Sequence, residues 1–334
     1  MSRSRSALWW TPAFGRMLGH VAQAQVKVGT QVLQKAIAKR RAPVAQGDWI
    51  AGLAMGPNGM RRYHLYRPPG VHFSERLPLM VMLHGCGQDA VSFAHSTRMN
   101  QLATRERFFV LYPEQDRRAN AHGCWNWFDT RSGLAYAEAA IVMAALDQVC
   151  LLYPVDRSRV AVAGLSAGAS MAALLATRHP GRFKAVVMHS GVAPGTASSS
   201  ASAIGAMQGY RTPAALPDNP AAAAWPPLMV IHGDADAVVS ARSAQSAVQV
   251  WTEATGARPT APRQVQRGKR YAMQVTDFKR RGRTMVSLCE VDTLGHAWSG
   301  GAAGRPYGDE RGPDASRLVW AFAARQFEAD AKVA

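Results

Sequence analysis

Arg159-Val160-Ala161-Val162-Ala163-Gly164-Leu165-Ser166-Ala167-Gly168, continued by the Ala-, Leu- and Met-rich run from Ala169 to His179, decides the fold. Residues 159–163 have the length and β-branched content of a buried strand, and 167–179 have the composition of a helix. Between a strand and a helix, G-x-S-x-G reads as a nucleophile elbow. The flanking glycines are expected to permit a sharp turn that lifts the Ser166 hydroxyl clear of the sheet, beside the first free N–H groups of the helix. The same pentapeptide in another setting is an ordinary Gly-rich connection. The choice depends on what the remaining chain places around it.

Further apolar runs lie on either side. Residues 79–83, 108–112, 185–188 and 228–231 are continuously apolar, and helical patterns at 94–105, 135–152 and 241–255 alternate with them. This is the signature of a parallel sheet covered on both faces, an α/β, mostly parallel doubly wound architecture. Residues 48–54 and 60–67 flank Gly56-Pro57-Asn58-Gly59 and predict an antiparallel hairpin. Residues 270–291 predict a second hairpin around Lys279-Arg280-Arg281-Gly282-Arg283, and 315–328 a closing amphipathic helix. Residues 192–227, rich in Ala, Ser, Gly and Pro, interrupt the alternation and are expected to form a cap or a surface loop. One catalytic domain, 48–334, preceded by an extension, 1–47, is the simplest division.

The chain has 334 residues, 48 % hydrophobic and 18 % charged, which is the composition of a folded protein with a large interior and not of a disordered one. Its net charge of +17 is concentrated in two segments. Residues 1–47 carry eight basic residues and no acid, and residues 257–283 carry nine against Asp277. Such localised charge suits attachment to an anionic surface or a polymer granule better than specific nucleic-acid binding, and solvated basic faces are the plainer alternative. The spacing of Phe14, Met17, Leu18, Val21, Val28, Val32 and Ile37 predicts a basic amphipathic helix in 1–47, aided at a surface by Trp9 and Trp10. No run reaches the ~18–20 uninterrupted apolar residues of a membrane span. With no secretory apolar core visible either, a cytoplasmic, granule-associated location is expected. Four scattered cysteines in no C-x-x-C spacing exclude a disulfide-built scaffold and a zinc ribbon.

A serine hydroxyl needs a base to take its proton and an acid to orient that base, supplied in this architecture by later loops in the order Asp or Glu, then His. His232-Gly233-Asp234-Ala235-Asp236 follows the 228–231 strand, and Gly295-His296-Ala297-Trp298 follows the last one. Asp236 is the expected acid and His296 the base. Asp234, two residues nearer the strand, is the rival acid or a brace for the turn. His189, at a strand end, is expected to line the site without acting as its base.

The oxyanion needs N–H donors, expected from Ala167 and from Cys86 in the loop His84-Gly85-Cys86-Gly87-Gln88. Cys86 and Cys124 form a candidate disulfide pinning that loop. Trp125, Trp127 and Trp298 are the candidate apolar rim for an acyl chain, with a hydrophobic mini-core as the alternative. No metal or organic cofactor is called for by this chemistry.

Leu83-His84-Gly85-Cys86-Gly87-Gln88, Cys124-Trp125-Asn126-Trp127-Phe128, Gly164-Leu165-Ser166-Ala167-Gly168, His232-Gly233-Asp234-Ala235-Asp236 and Gly295-His296-Ala297-Trp298-Ser299-Gly300-Gly301 together resemble the polyhydroxybutyrate depolymerase family of esterases. That family is in turn similar to some feruloyl and acetylxylan esterases. The resemblance implies an α/β-hydrolase fold and ester hydrolysis through an acyl-serine, with Ser166, Asp236 and His296 as triad. The resemblance leaves the substrate open; a poly- or oligo-(3-hydroxybutyrate) or related short-chain ester is the expected one, and an extracellular location, as for many members of the family, is the alternative to the cytoplasm. A feruloyl or acetylxylan esterase, or a binding protein that kept the fold without the chemistry, are the competing readings.

Overall fold

The computed structural model describes residues 45–56, 59–214 and 225–331. The amphipathic pattern from Phe14 to Ile37, expected as a helix in the 1–47 extension, lies outside these residues. The elements in chain order are β1 (Asp48–Gly56), β2 (Gly59–Arg67), β3 (Leu77–Leu83), α1 (Ala90–Thr97), α2 (Met99–Glu106), β4 (Phe109–Pro113), α3 (Leu134–Leu152), β5 (Val155–Leu165), α4 (Ala167–Arg178), β6 (Ala185–His189) and α5 (Ser200–Met207). They continue with β7 (Leu228–Gly233), α6 (Arg242–Thr255), β8 (Arg258–Pro259), β9 (Arg263–Val265), β10 (Met273–Arg280), β11 (Arg283–Val291), β12 (Trp298–Ser299), β13 (Gly308–Asp309) and α7 (Ala315–Ala331).

The main sheet has the order β1-β2-β4-β3-β5-β6-β7-β11-β10-β8, with β9 also paired to β10. The run from β4 to β11 is parallel, and the two predicted hairpins add antiparallel strands at its edges. Successive residues of each central strand enter different cores, because side chains alternate across a strand. Leu79, Val81, Val160, Val162, Val186 and Val230 pack under α3, α4 and α6. Met80, Met82, Ala161, Ala163, Val187 and Ile231 pack under α1, α2 and α7. Burial on both faces explains why these strands read as unbroken apolar runs. Helix α3 is long and apolar enough to cross a membrane, but its buried face packs in the first of these cores and holds the buried carboxylate of Glu138.

One local feature departs from expectation, and a second adds detail to the segment expected as a cap or surface loop. The helix predicted over 94–105 is broken at Arg98, which adopts a left-handed φ of 56° and separates α1 from α2. The Arg98 N–H closes α1 by donating to the Ala94 carbonyl, and its guanidinium reaches the Gly300 carbonyl. The segment after β6 contains a helix, α5, started by a capping box in which Ser199 and Ser202 satisfy each other's backbone N–H groups.

Candidate active site

Ser166 sits between the end of β5 and the first residue of α4, with φ 56° and ψ −122°. This strained conformation is held by hydrogen bonds: the Ser166 N–H donates to the His189 carbonyl at 2.9 Å, and the Ser166 carbonyl accepts from Ala169 at 2.9 Å and Ser170 at 3.1 Å. The glycines act differently from expectation. Neither Gly164 nor Gly168 has a positive φ. A Cβ on Gly164 would lie 2.3 Å from the Gly168 backbone, and one on Gly168 would lie 2.1 Å from the Leu83 carbonyl oxygen. They are required because strand, turn and helix touch there, while Ser166 itself carries the unusual dihedral.

Asp236 lies in the tight turn after β7, its side chain fully buried. Its Oδ1 accepts the Val238 and Val239 N–H groups, each at 2.9 Å. Its Oδ2 is 2.8 Å from His296 Nδ1 and 3.5 Å from His232 Nε2. Burial alone would raise the pKa of Asp236, but the His296 hydrogen bond, the nearby imidazoles and the Val239 N–H outweigh it and hold the pKa below the ordinary carboxylate value. A carboxylate at Nδ1 leaves Nε2 of His296 as the proton-accepting edge. The rival acid, Asp234, is exposed and accepts the Thr293 N–H at 2.6 Å, so it braces the acid-bearing turn against the chain leading to His296. Gly233 lets these loops meet, since a Cβ there would stand 2.0 Å from the Leu294 carbonyl oxygen.

The loop after β3 runs alongside the elbow; a Cβ on Gly85 would meet Ser166 Cβ at 3.5 Å. The Gly85 N–H donates to Gln88 Oε1 at 2.9 Å, Gly87 to the His122 carbonyl at 2.9 Å and Gln88 to the Gly85 carbonyl at 3.3 Å. Among the described residues, the N–H groups of Cys86 and Ala167 have no such acceptor. Cys86 is joined to Cys124 by a disulfide, with Cα atoms 4.2 Å apart. The Ser166 hydroxyl makes no hydrogen bond among the described residues, leaving it open to the cavity.

That cavity is lined by Cys86, Trp125, Trp127, Phe128, Val238 and Val239, with Ala203 and Met207 of α5 closing one side. Its free volume is only about 20 Å³. Trp298 is not part of it. The Trp298 ring is wholly buried under the opposite face of the sheet, edge-on to Phe93, stacked on His189 and donating to Ser316 Oγ at 3.1 Å. It is therefore a core residue rather than the rim residue expected from its place beside His296. His189 is equally buried and does not line the cavity. Its Nε2 accepts the Ser299 N–H at 3.1 Å, while its carbonyl holds Ser166, so it ties the loop after His296 to the elbow. Among the described residues, no group of three or more His, Cys, Asp or Glu is placed to hold a metal ion.

Residues 61–266 match the family model described as esterase PHB depolymerase. The chain belongs to that family. Poly(3-hydroxyalkanoate) depolymerase C of Paucimonas lemoignei is 31 % identical to it over 191 residues, 54 % of this chain and 45 % of that protein. Feruloyl esterase B of Neurospora crassa is 28 % identical over 62 % of this chain and 74 % of its own length. The chain thus spans less than half of the first relative and about three quarters of the second. An acetyl xylan esterase structure from Aspergillus awamori superposes with a TM-score of 0.58, covering 75 % of this chain and 94 % of that one at 19 % identity. With the sheet order above, this establishes the α/β-hydrolase fold.

The PHB depolymerase family chain also uses residues that its motifs do not announce. Buried Glu138, on α3, accepts from Gln115 Nε2 at 2.7 Å, from the Asn126 N–H at 2.8 Å and from Asn126 Nδ2 at 2.7 Å, and pairs with Arg61 at 3.5 Å. Gln115 also donates to the Cys124 carbonyl at 2.9 Å, and its backbone N–H donates to His84 Nε2 at 3.1 Å. This network fixes the Trp125–Trp127 loop and the oxyanion loop together. A lone acid in an apolar helix was the available signal.

Proposed function

We propose that this chain is a serine esterase that cleaves short-chain carboxylic esters through an acyl-Ser166 intermediate. The observation that carries the reading is the buried Asp236–His296 hydrogen bond, 2.8 Å long, delivered to the same end of the sheet as a serine held at φ 56°. Nε2 of His296 takes the Ser166 proton as Oγ attacks the ester carbonyl, and Asp236 stabilises the imidazolium. The carbonyl oxygen, now negative, accepts from the Cys86 and Ala167 N–H groups. His296 then protonates the leaving alkoxide. Water, deprotonated by the same imidazole, releases the acid and restores Ser166.

The depolymerase relative and the apolar lining of the cavity support an oligo-(3-hydroxybutyrate) or comparable short acyl ester as substrate. The feruloyl esterase relative supports the second reading, an ester of an aromatic acid; at about 20 Å³ the cavity would have to widen for either acyl group. The Cys86–Cys124 disulfide supports an oxidising, extracellular compartment over the cytoplasm. The basic residues of 1–47 support adsorption to an anionic or polymer surface. p-Nitrophenyl butyrate turnover tests the central reading: Ser166→Ala should lower kcat by roughly ten-thousand-fold with an unchanged circular dichroism spectrum. Retained turnover would overturn it. A panel of hydroxybutyrate oligomers and feruloyl esters then ranks the two substrate classes.

A further inference from the structure

Four arginines surround a cleft of about 300 Å³ on the face of the sheet opposite the acyl cavity, beside α1, α2 and α7. Three segments distant in sequence form it: the break between α1 and α2, the chain from β9 into β10, and the start of α7. Arg98, Arg267, Arg270 and Arg317 stand around it over an apolar floor that includes Val265, Met273 and Leu318. The acid of the lining, Asp314, is engaged. Its Oδ1 accepts the Arg317 N–H at 3.1 Å in the first turn of α7, and its Oδ2 pairs with Arg317 Nε at 3.5 Å. Four guanidinium groups therefore face one carboxylate that caps a helix.

Two of these arginines are held in place from one edge. Arg98 donates to the Gly300 carbonyl, and Arg270 donates through Nη1 to the carbonyls of Glu310 and Gly312. A guanidinium has five N–H donors in a rigid plane, so pinning one edge orients the others without consuming them. Like charges gathered around a concavity repel one another, and an anion bound among them relieves that repulsion.

We propose that this cleft binds a phosphate ester, with the phosphate on the arginine rim and the organic group on the floor beside the Tyr271 ring. A phosphate monoester carries close to two negative charges, has several acceptor oxygens and pairs bidentately with guanidinium. These properties match converging arginines better than a single carboxylate does. The volume is at the low end of small-molecule sites and fits one compact ligand rather than a polymer lying along the basic edge of the sheet. The phosphate ester has two sources, a free metabolite or a lipid headgroup. Both present the same chemistry to the rim.

Isothermal titration of the full chain tests this with two probes, phenyl phosphate and dihexanoyl phosphatidic acid kept below its micellar concentration. Saturable binding at one site per chain is expected for at least one, and the tighter probe identifies the source. Arg267→Ala/Arg317→Ala, which removes two exposed side chains, should weaken that binding at least tenfold. Lys279→Ala/Arg280→Ala, an equal loss of charge from the 279–283 hairpin, should change it less than twofold. Both variants should keep p-nitrophenyl butyrate turnover, which separates this site from the one at Ser166. Absence of saturable binding by both probes overturns the proposal. So does equal weakening in the two variants, which would indicate diffuse polyanion attraction, as for a nucleic acid.

Discussion

Asp234 and Asp236 are two residues apart in one turn, yet their surroundings give them different work. Asp236 is buried, takes two backbone N–H groups on one oxygen and presents the other to His296. Asp234 is exposed and holds the Thr293 N–H. Asp236→Asn should therefore lower kcat for p-nitrophenyl butyrate by about a thousandfold or more, because the amide no longer fixes the His296 tautomer or stabilises its charge. Asp234→Asn should keep kcat within tenfold while lowering stability by about 1 kcal/mol, measured by urea unfolding. Comparable losses of kcat in the two variants would contradict the assignment. The sequence placed both acids after β7 and favoured Asp236, two residues farther from the strand; the burial that distinguishes the two carboxylates belongs to the folded turn.

At the level of elements, the wall made by α5 and the clamp made by the disulfide shape what the elbow can accept. Met207 and Ala203 of α5 close the cavity beside Ser166. Met207→Ala should enlarge it and raise kcat/KM for p-nitrophenyl hexanoate relative to the acetate by roughly tenfold, since each added methylene in an apolar pocket contributes about 1–3 kcal/mol. An unchanged ratio would show that α5 does not set acyl length. The Cys86–Cys124 bond closes a loop with a sequence separation of 38. Replacing both cysteines by serine should cost about 4 kcal/mol on the loop-entropy account and lower kcat, because the Cys86 N–H then rides on an untethered loop. Thermal melts and ester turnover read both effects. Strand runs and long helices were legible because burial on two faces leaves an unbroken apolar signature. Helix α5 was not, because its Ser- and Ala-rich sequence resembles a loop until the Ser199–Ser202 capping box is recognised.

Across the whole molecule, acid sensitivity is built into buried imidazoles. Burial pushes His84, His189 and His232 down from the ordinary value, His189 to about 3 with further repulsion from His232 and His296. Between pH 6.5 and those depressed values the unfolded chain binds protons that the folded chain excludes. Their contribution is complete above about pH 6.5 and is lost as the pH falls below it. Asp236 acts with the same sign at lower pH, its contribution disappearing as pH falls through its depressed pKa. Melting temperature should therefore fall steadily from pH 7 to pH 4. His189→Gln should melt lower than wild type at pH 7 and lose less on acidification; parallel curves would exclude His189 as a source of the slope.

The sequence by itself determined the fold class, the order of strands and helices, and the loops that carry Ser166, Asp236, His296 and Cys86, because these follow from periodicity, turn chemistry and motif order. The glycines of the elbow were also visible, but the reason for them was not. Only packing shows that Gly164 and Gly168 are required by backbone contact while Ser166 bears the positive φ. Tertiary structure likewise moved Trp298 from a substrate rim into the core under α1 and α7, and gathered Arg98, Arg267, Arg270 and Arg317 around one cleft. Such assignments depend on which face of the sheet a side chain enters and on contacts between segments far apart in the chain, and no local pattern encodes either.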